Sequence, residues 1–312
     1  MDHKMKKPLQ FRETARMFTG SMTALITPFC EDRVDYKAFE AFCDWQIAQG
    51  TSGLVPCGTT GEAPTLSASE HYDVIAACVS VAKGRVPVIA GVGTNATALT
   101  IERAKAAQKA GADGLLVVVP YYNKPSQEGM VLHITAIHDA CDLPLIIYNI
   151  PGRSAADMQV ETLATLSKLD RVVGLKDATG DLARVARQRL LCKKGFAQLS
   201  GEDATAVGFN AMGGVGCISV TSNIAPALCA QLQAACAAND YETALLLQDR
   251  LSELHQAMFC ETSPAPVKYA AHRLGICQPG LRLPLAPLSE AGKRAVEQAM
   301  DNLGLSLEGH SS

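Results

Sequence analysis

The eleven cysteines include no Cys-x-x-Cys pair, and the seven histidines no His-Glu-x-x-His. Structural zinc, thioredoxin-like exchange and zincin-type hydrolysis are therefore poor readings. An odd number of scattered cysteines in a long chain fits a reducing compartment, where thiols act as small core residues. Cys57 and Cys217 are accordingly expected to pack rather than react. No apolar run approaches the ~18 residues that a membrane helix needs. The basic start, MDHKMKKPLQFRETARM, has no apolar stretch behind its charges and does not read as a secretory signal. A cytoplasmic protein is expected, with residues 1–16 as a disordered arm. The net charge of −3 offers no basic face for nucleic acid. No Gly-x-Gly-x-x-Gly follows the first apolar run, which argues against an open dinucleotide-binding sheet. No metal, cofactor, nucleic acid or membrane is expected.

The chain is rich instead in apolar mass arranged in repeats. Hydrophobic residues make up 48% and charged residues 19%, enough for a large core. An Ala-rich amphipathic helix, a glycine, and a short apolar run recur along the chain. The runs fall in GSMTALITPF, LVPCGTTGE, VPVIAGVGTN, GLLVVVPYYN, LPLIIYNIPGR, RVVGLKDATG, FAQLSGEDA and GVGCISVTSN. Runs that are apolar throughout are the mark of strands buried on both faces. Each glycine sits where a helix wants a left-handed cap. Strands alternating with helices give a parallel sheet with right-handed crossovers, and eight such units close naturally into a (β/α)₈ TIM barrel. From about Ile224 only helical periodicity remains. The predicted organisation is an α/β barrel over residues 17–239 and a C-terminal helical extension over 240–312, with Pro-rich turns near 263–266 and 282–287.

In such a barrel the site lies at the C-terminal ends of the strands. That rule collects GTTGE, PYYN, YNIPGR, Lys176, SGED and ISVT at one mouth. Lys176 ends an apolar run and is followed by Asp177. A lysine at a strand end is ordinarily solvated, with its stem lying over apolar surface. In a mouth lined with hydroxyls, the alternative is a desolvated, nucleophilic amine that forms a Schiff base with a carbonyl substrate. Strand alternation would then turn Lys176 inward and Asp177 out toward the helices.

GTTGE, YNIPGR and GLKDATGD, in this order and on these strands, resemble the dihydrodipicolinate synthase branch of the class I pyruvate aldolases, within the N-acetylneuraminate lyase superfamily. The resemblance runs from about Phe18 to Leu305. It implies condensation of pyruvate with L-aspartate-4-semialdehyde, at the start of diaminopimelate and lysine synthesis. Lys176 would form the imine, and Tyr148 would shuttle protons in a relay with Thr59 and Tyr122. Tyr122 would come from the neighbouring subunit of a homodimer that pairs into a homotetramer. Thr60 and nearby amides suit the pyruvate carboxylate, and Arg153 corresponds to a clamp on the semialdehyde carboxylate. Gly201 and Ile218 would present backbone groups around the imine, while Glu202 and Asp203 receive no role. The family's lysine-effector position keeps His71, Asn95 and Tyr121 but carries Leu99 in place of a glutamate and Ala68 in place of a histidine. The rival readings are a sialate or sugar-acid aldolase, disfavoured by Thr59 and Arg153, and a barrel that binds a metabolite without catalysis.

Overall fold

The computed structural model describes residues 17–305; the arm proposed for residues 1–16 lies outside them. Eight parallel strands form one sheet: β1 (Gly20–Ala24), β2 (Gly53–Val55), β3 (Ile89–Gly91), β4 (Gly114–Val118), β5 (Leu145–Asn149), β6 (Val172–Asp177), β7 (Ala197–Ser200) and β8 (Gly216–Ser219). β1 pairs with both β8 and β2. A bridge between Leu54 and Val88 joins β2 to the β3 side and closes the barrel. All eight apolar runs of the sequence supply a strand. The helices between them are α1 (Tyr36–Ala48), α2 (Ala68–Ala82), α3 (Thr97–Ala110), α4 (Gln127–Ala140), α5 (Val160–Leu166), α6 (Ala183–Leu191), α7 (Ala206–Ala211) and α8 (Pro226–Ala237). After them come α9 (Tyr241–Ala257), α10 (Ala265–Arg273) and α11 (Glu290–Leu303).

Local chemistry fixes the helix ends. Asp35 accepts from the Ala38 amide at the start of α1, and Ser67 and Glu70 form a reciprocal capping box on α2. α3 stops at Gly111, whose φ of +89° is the left-handed conformation that glycine adopts without steric cost.

Two apolar clusters divide the interior. Met22, Ala24, Val55, Ile89, Leu116, Ile146, Leu199 and Ile218 fill the barrel, with Phe18 beside them. The alternate strand residues, such as Leu115, Leu145, Ile147 and Leu175, face the helices and share a second cluster. That outer cluster continues through Leu251, Leu254, Val267, Val296 and Met300, so one core runs across the boundary drawn at residue 240.

Strand β6 departs from simple alternation. Its pairing with β5 shifts between Leu145 and Ile146, matched to Val172 and Gly174, so Val173 is an extra residue. The bulge lets Val173 join the barrel interior while Val172 stays with the outer cluster. It leaves Gly174 opposite Ile146 and Lys176 opposite Tyr148. Gly174 has no room for a side chain, since a Cβ there would lie 2.7 Å from the Ala197 carbonyl oxygen.

Candidate active site

Lys176 and Tyr148 are register partners on adjacent strands and turn the same way, inward. The Lys176 amine lies 4.2 Å from the centre of the Tyr148 ring, an approach that holds a cation or a polarised amine against the π face. Lys176 is only 5% exposed. Its neighbour Asp177 points away, where its carboxylate accepts from the Thr179 amide (2.9 Å), the Thr179 hydroxyl (2.6 Å) and Gln188 Nε2 (2.7 Å). The carboxylate that follows the lysine in sequence is thereby spent on other donors. The amine stays free of it.

Gly201 packs against the lysine stem: a Cβ added there would meet Lys176 Cε at 3.1 Å and Ala178 Cβ at 2.9 Å. Its amide donates to the Asp177 carbonyl at 2.7 Å. Ile218 is fully buried in the cluster that contains Tyr148. A cavity of about 290 Å³ opens at the mouth, and Thr59, Tyr148 and Arg153 are on its wall. Thr60 is buried in the turn after β2 and does not reach that wall. Thr59 and Tyr148 share the cavity without a hydrogen bond between their hydroxyls among the described residues. Arg153 rides on a one-turn helix, Pro151–Ser154, that sequence periodicity did not indicate. Its guanidinium donates to the Ser263 carbonyl at 3.3 Å.

Tyr122 does not join this group within its own chain. It stands 88% exposed, with a backbone φ of +70°. Its neighbour Tyr121 lines the cavity instead. Cys57 also lines it, but burial pushes its thiol well up, so it stays protonated. Burial likewise raises Cys217. Both are packed thiols. Among the described residues no trio of His, Cys, Asp or Glu is placed to hold a metal ion.

The sequence reading missed the cavity's roof and its brace. Ser263, Pro264, Pro284 and Leu285, read as mere turns of the extension, close the cavity over Thr59 and Arg153. The brace is Glu62, in the GTTGE turn, held in a left-handed backbone (φ +55°). Its carboxylate accepts from the Lys268 ammonium at 2.6 Å and from the Arg282 amide at 3.1 Å, and both side chains of the Glu62–Lys268 pair are fully buried. Lys268 sits 4.0 Å from the Phe29 ring centre, and the Arg282 guanidinium 4.5 Å from the same ring. Arg282 also donates to Glu70 Oε2 (2.8 Å), Asp32 Oδ1 (3.1 Å) and the Thr65 carbonyl (2.9 Å). A short hairpin, Phe29–Cys30 with Arg33–Val34, supplies the ring and Asp32. No signal within GTTGE could announce a partner more than two hundred residues away.

The sequence matches the model of the dihydrodipicolinate synthetase family over residues 17–303. It is 58% identical over 289 residues to the 4-hydroxy-tetrahydrodipicolinate synthase of Parvibaculum lavamentivorans, covering 93% of this chain and 99% of that one. Among solved structures, the dihydrodipicolinate synthase of Aquifex aeolicus superposes with a TM-score of 0.92 at 38% identity, over 94% of this chain and all of the other. The chloride-inhibited enzyme of Acinetobacter baumannii, solved with pyruvate, gives 0.90 at 44% identity over 92% and 99% of the two chains. On this match, its barrel and the span of its similarity, the chain belongs to the dihydrodipicolinate synthetase family.

Proposed function

We propose that the chain condenses pyruvate with L-aspartate-4-semialdehyde to give 4-hydroxy-tetrahydrodipicolinate, the first committed step of diaminopimelate and lysine biosynthesis. The observation that carries this is the buried Lys176 amine against Tyr148, with Asp177 turned away and occupied. The neutral amine attacks the ketone carbon of pyruvate. Protons are delivered to the departing oxygen, water leaves, and an imine forms. Tyr148, in register with the lysine, carries the proton, with Thr59 across the cavity as its relay partner. Loss of a methyl proton gives the enamine, whose carbon attacks the aldehyde. Thr60 and the amides of its turn hold the pyruvate carboxylate. Arg153 holds the semialdehyde carboxylate at the rim, as a planar fork suited to two oxygens. Gly201 leaves room for the lysine stem, and Gly201 and Ile218 present backbone to the imine.

Two exposed apolar groups support assembly. Leu99, Tyr122 and Leu132 stand out on the α3–α4 side, and Leu190, Leu191 and Met212 on the α6–α7 side. The first face forms a dimer that delivers Tyr122 into the partner's cavity, and the second joins dimers into a tetramer. Mixing Tyr122→Phe with Lys176→Ala subunits checks this, since only a shared site can restore activity. No helix among the described residues is long and apolar enough to cross a membrane, which fits the cytoplasmic location proposed.

Borohydride trapping tests the chemistry. Pyruvate with borohydride should leave one reduced adduct, on Lys176, by peptide mass spectrometry. An adduct on another lysine, or none in active enzyme, would overturn the assignment. Comparison of the semialdehyde with N-acetylneuraminate and sugar-acid substrates decides between this reading and the related aldolases.

A further inference from the structure

We infer that Asn149, Asp157 and Arg184 are positioning residues that set where Arg153 stands over the cavity. The inference deepens the reading of Arg153 as the semialdehyde clamp and rests on it. Arg153 is exposed at the rim, on the one-turn helix Pro151–Ser154. A helix of one turn has little stability of its own. Among the described residues the Arg153 guanidinium makes one hydrogen bond, to the Ser263 carbonyl at 3.3 Å, longer than most such bonds. The side chain therefore goes where its backbone carries it.

That backbone is fixed from behind the strand. β5 ends in Tyr148 and Asn149, and alternation turns Tyr148 into the barrel and Asn149 out. Asn149 is 1% exposed. Its Nδ2 donates to Asp157 Oδ1 at 2.7 Å, and its Oδ1 accepts from the Met158 amide at 3.1 Å. One buried side chain thus pins together the two ends of residues 150–156. Arg184, in the first turn of α6, holds Asp157 from the other side. Its Nη1 donates to Asp157 Oδ1 at 3.0 Å and Oδ2 at 2.8 Å, and its Nη2 to the Met158 carbonyl. Gln127, at the start of α4, donates to the Asp157 carbonyl at 2.8 Å. A strand and two helices converge on Asp157.

The turn between these anchors is stiff. Ser154 Oγ lies 2.9 Å from the Ile150 carbonyl and 2.7 Å from the Ala156 carbonyl. The Ser154 and Ala155 amides close onto the Ile150 and Pro151 carbonyls at 2.9 and 3.0 Å. A stiff turn moves as a unit, so slack at Asp157 reaches Arg153 as displacement. Lys176 stands apart from this linkage. Its outward neighbour Asp177 is held by Thr179 and Gln188, and neither of these bonds Asp157. Loosening the brace should therefore spare the pyruvate step and weaken the grip on the second substrate.

Asp157→Ala and Arg184→Gln, made in the full-length enzyme, test this. Each should raise KM for the semialdehyde about 10-fold, the pattern of lost ground-state binding. The kcat, the pyruvate KM and the rate of borohydride trapping on Lys176 should stay nearly unchanged. Asp157→Asn keeps an acceptor oxygen for Asn149 and Arg184, and should fall between wild type and Asp157→Ala. The deciding comparison is made in an Arg153→Ala background. A residue that acts through Arg153 has nothing to act on there, so adding Arg184→Gln should cost no more than about 2-fold. Full additivity of the two losses overturns the inference. So does a semialdehyde KM within about 2-fold of wild type in both single variants, or an equal loss of pyruvate trapping. Should Asp157→Ala not fold, Arg184→Gln carries the same comparison. Normal trapping with additive losses removes the inference alone, whereas active wild type that traps no pyruvate on Lys176 removes the proposed function and the inference with it.

Discussion

Replacing Lys268 by methionine should loosen the GTTGE turn from more than two hundred residues away. The substitution keeps a long apolar stem and removes the ammonium 2.6 Å from Glu62, in a pair whose side chains are both wholly buried. Among the described residues Glu62 would then keep only the Arg282 amide as a donor. Breaking a buried pair by removing one partner costs about 3–5 kcal/mol, because the remaining charge is stranded. Burial holds the Lys268 ammonium below its ordinary pKa even with Glu62 beside it, a sign that desolvation is a large part of the balance. At the ~2 °C per kcal/mol that applies to large domains, Tm should fall by roughly 6–10 °C. Since Glu62 lies two residues after Thr60, imine formation should slow as well. The double variant Glu62→Gln, Lys268→Met removes both charges and should recover most of the lost stability, as apolar replacement of buried pairs commonly does. Scanning calorimetry at pH 7 measures all of these. A single variant that melts within about 2 °C of wild type would refute the reasoning, as would a double variant less stable than the single.

Gly201→Ala should slow borohydride-trapped imine formation on the order of 100-fold, because the added Cβ meets the Lys176 stem at 3.1 Å and displaces the nucleophile; an unchanged trapping rate would count against the packing argument. Arg153→Ala should weaken use of the semialdehyde by about 2–4 kcal/mol in kcat/KM while leaving pyruvate trapping nearly intact, and the reverse pattern would reassign Arg153. L-Lysine should inhibit weakly or not at all, because Leu99, 40% exposed, offers no carboxylate to its ammonium; half-inhibition at micromolar lysine sinks that expectation, and Leu99→Glu should raise sensitivity. Hydrogen bonding from Arg282 holds the Glu70 carboxyl down to about 2. A carboxyl lowered on folding stabilises the fold above its unfolded pKa, and that contribution disappears as pH falls from about 4.5 toward 2. Glu70→Gln should therefore cost on the order of 1 kcal/mol at pH 7, after allowance for solvent screening, and progressively less below pH 4.5 in urea titrations; a pH-independent difference would remove Arg282 as the cause.

The barrel was legible because its signals are local. Eight apolar runs, five of them following a helix and a glycine, need no knowledge of distant residues, and Gly50 and Gly111 show the left-handed backbone that their positions required. Lys176 was legible for the same reason, its place at a strand end following from the fold. The bulge at Val173 was hidden, since an unbroken apolar run looks the same with or without an extra residue. Arg153's short helix was hidden by the Pro-Gly that normally marks a turn. The roof residues Ser263, Pro264, Pro284 and Leu285 carry ordinary loop chemistry, and only tertiary packing brings them to the mouth. Glu62 was in view but not its burial, which depends on Lys268.

The roof also sets a timetable. Ile218, the last to be made of Thr59, Tyr148, Lys176 and Ile218, precedes Leu285, the last roof residue, by 67 positions (285 − 218). At 5–20 residues per second those positions take roughly 3–13 s. Within that interval Glu62 lacks its cation until Lys268 is added, and the cavity lacks part of its roof until Leu285 is added. The amine proposed as nucleophile is made early, and the roof over the neighbouring cavity is completed later. A chain cut after residue 260 would keep Thr59, Tyr148, Arg153 and Lys176 but none of the four roof residues, so the turns at 263–264 and 284–285 decide when the cavity proposed for the second substrate is complete.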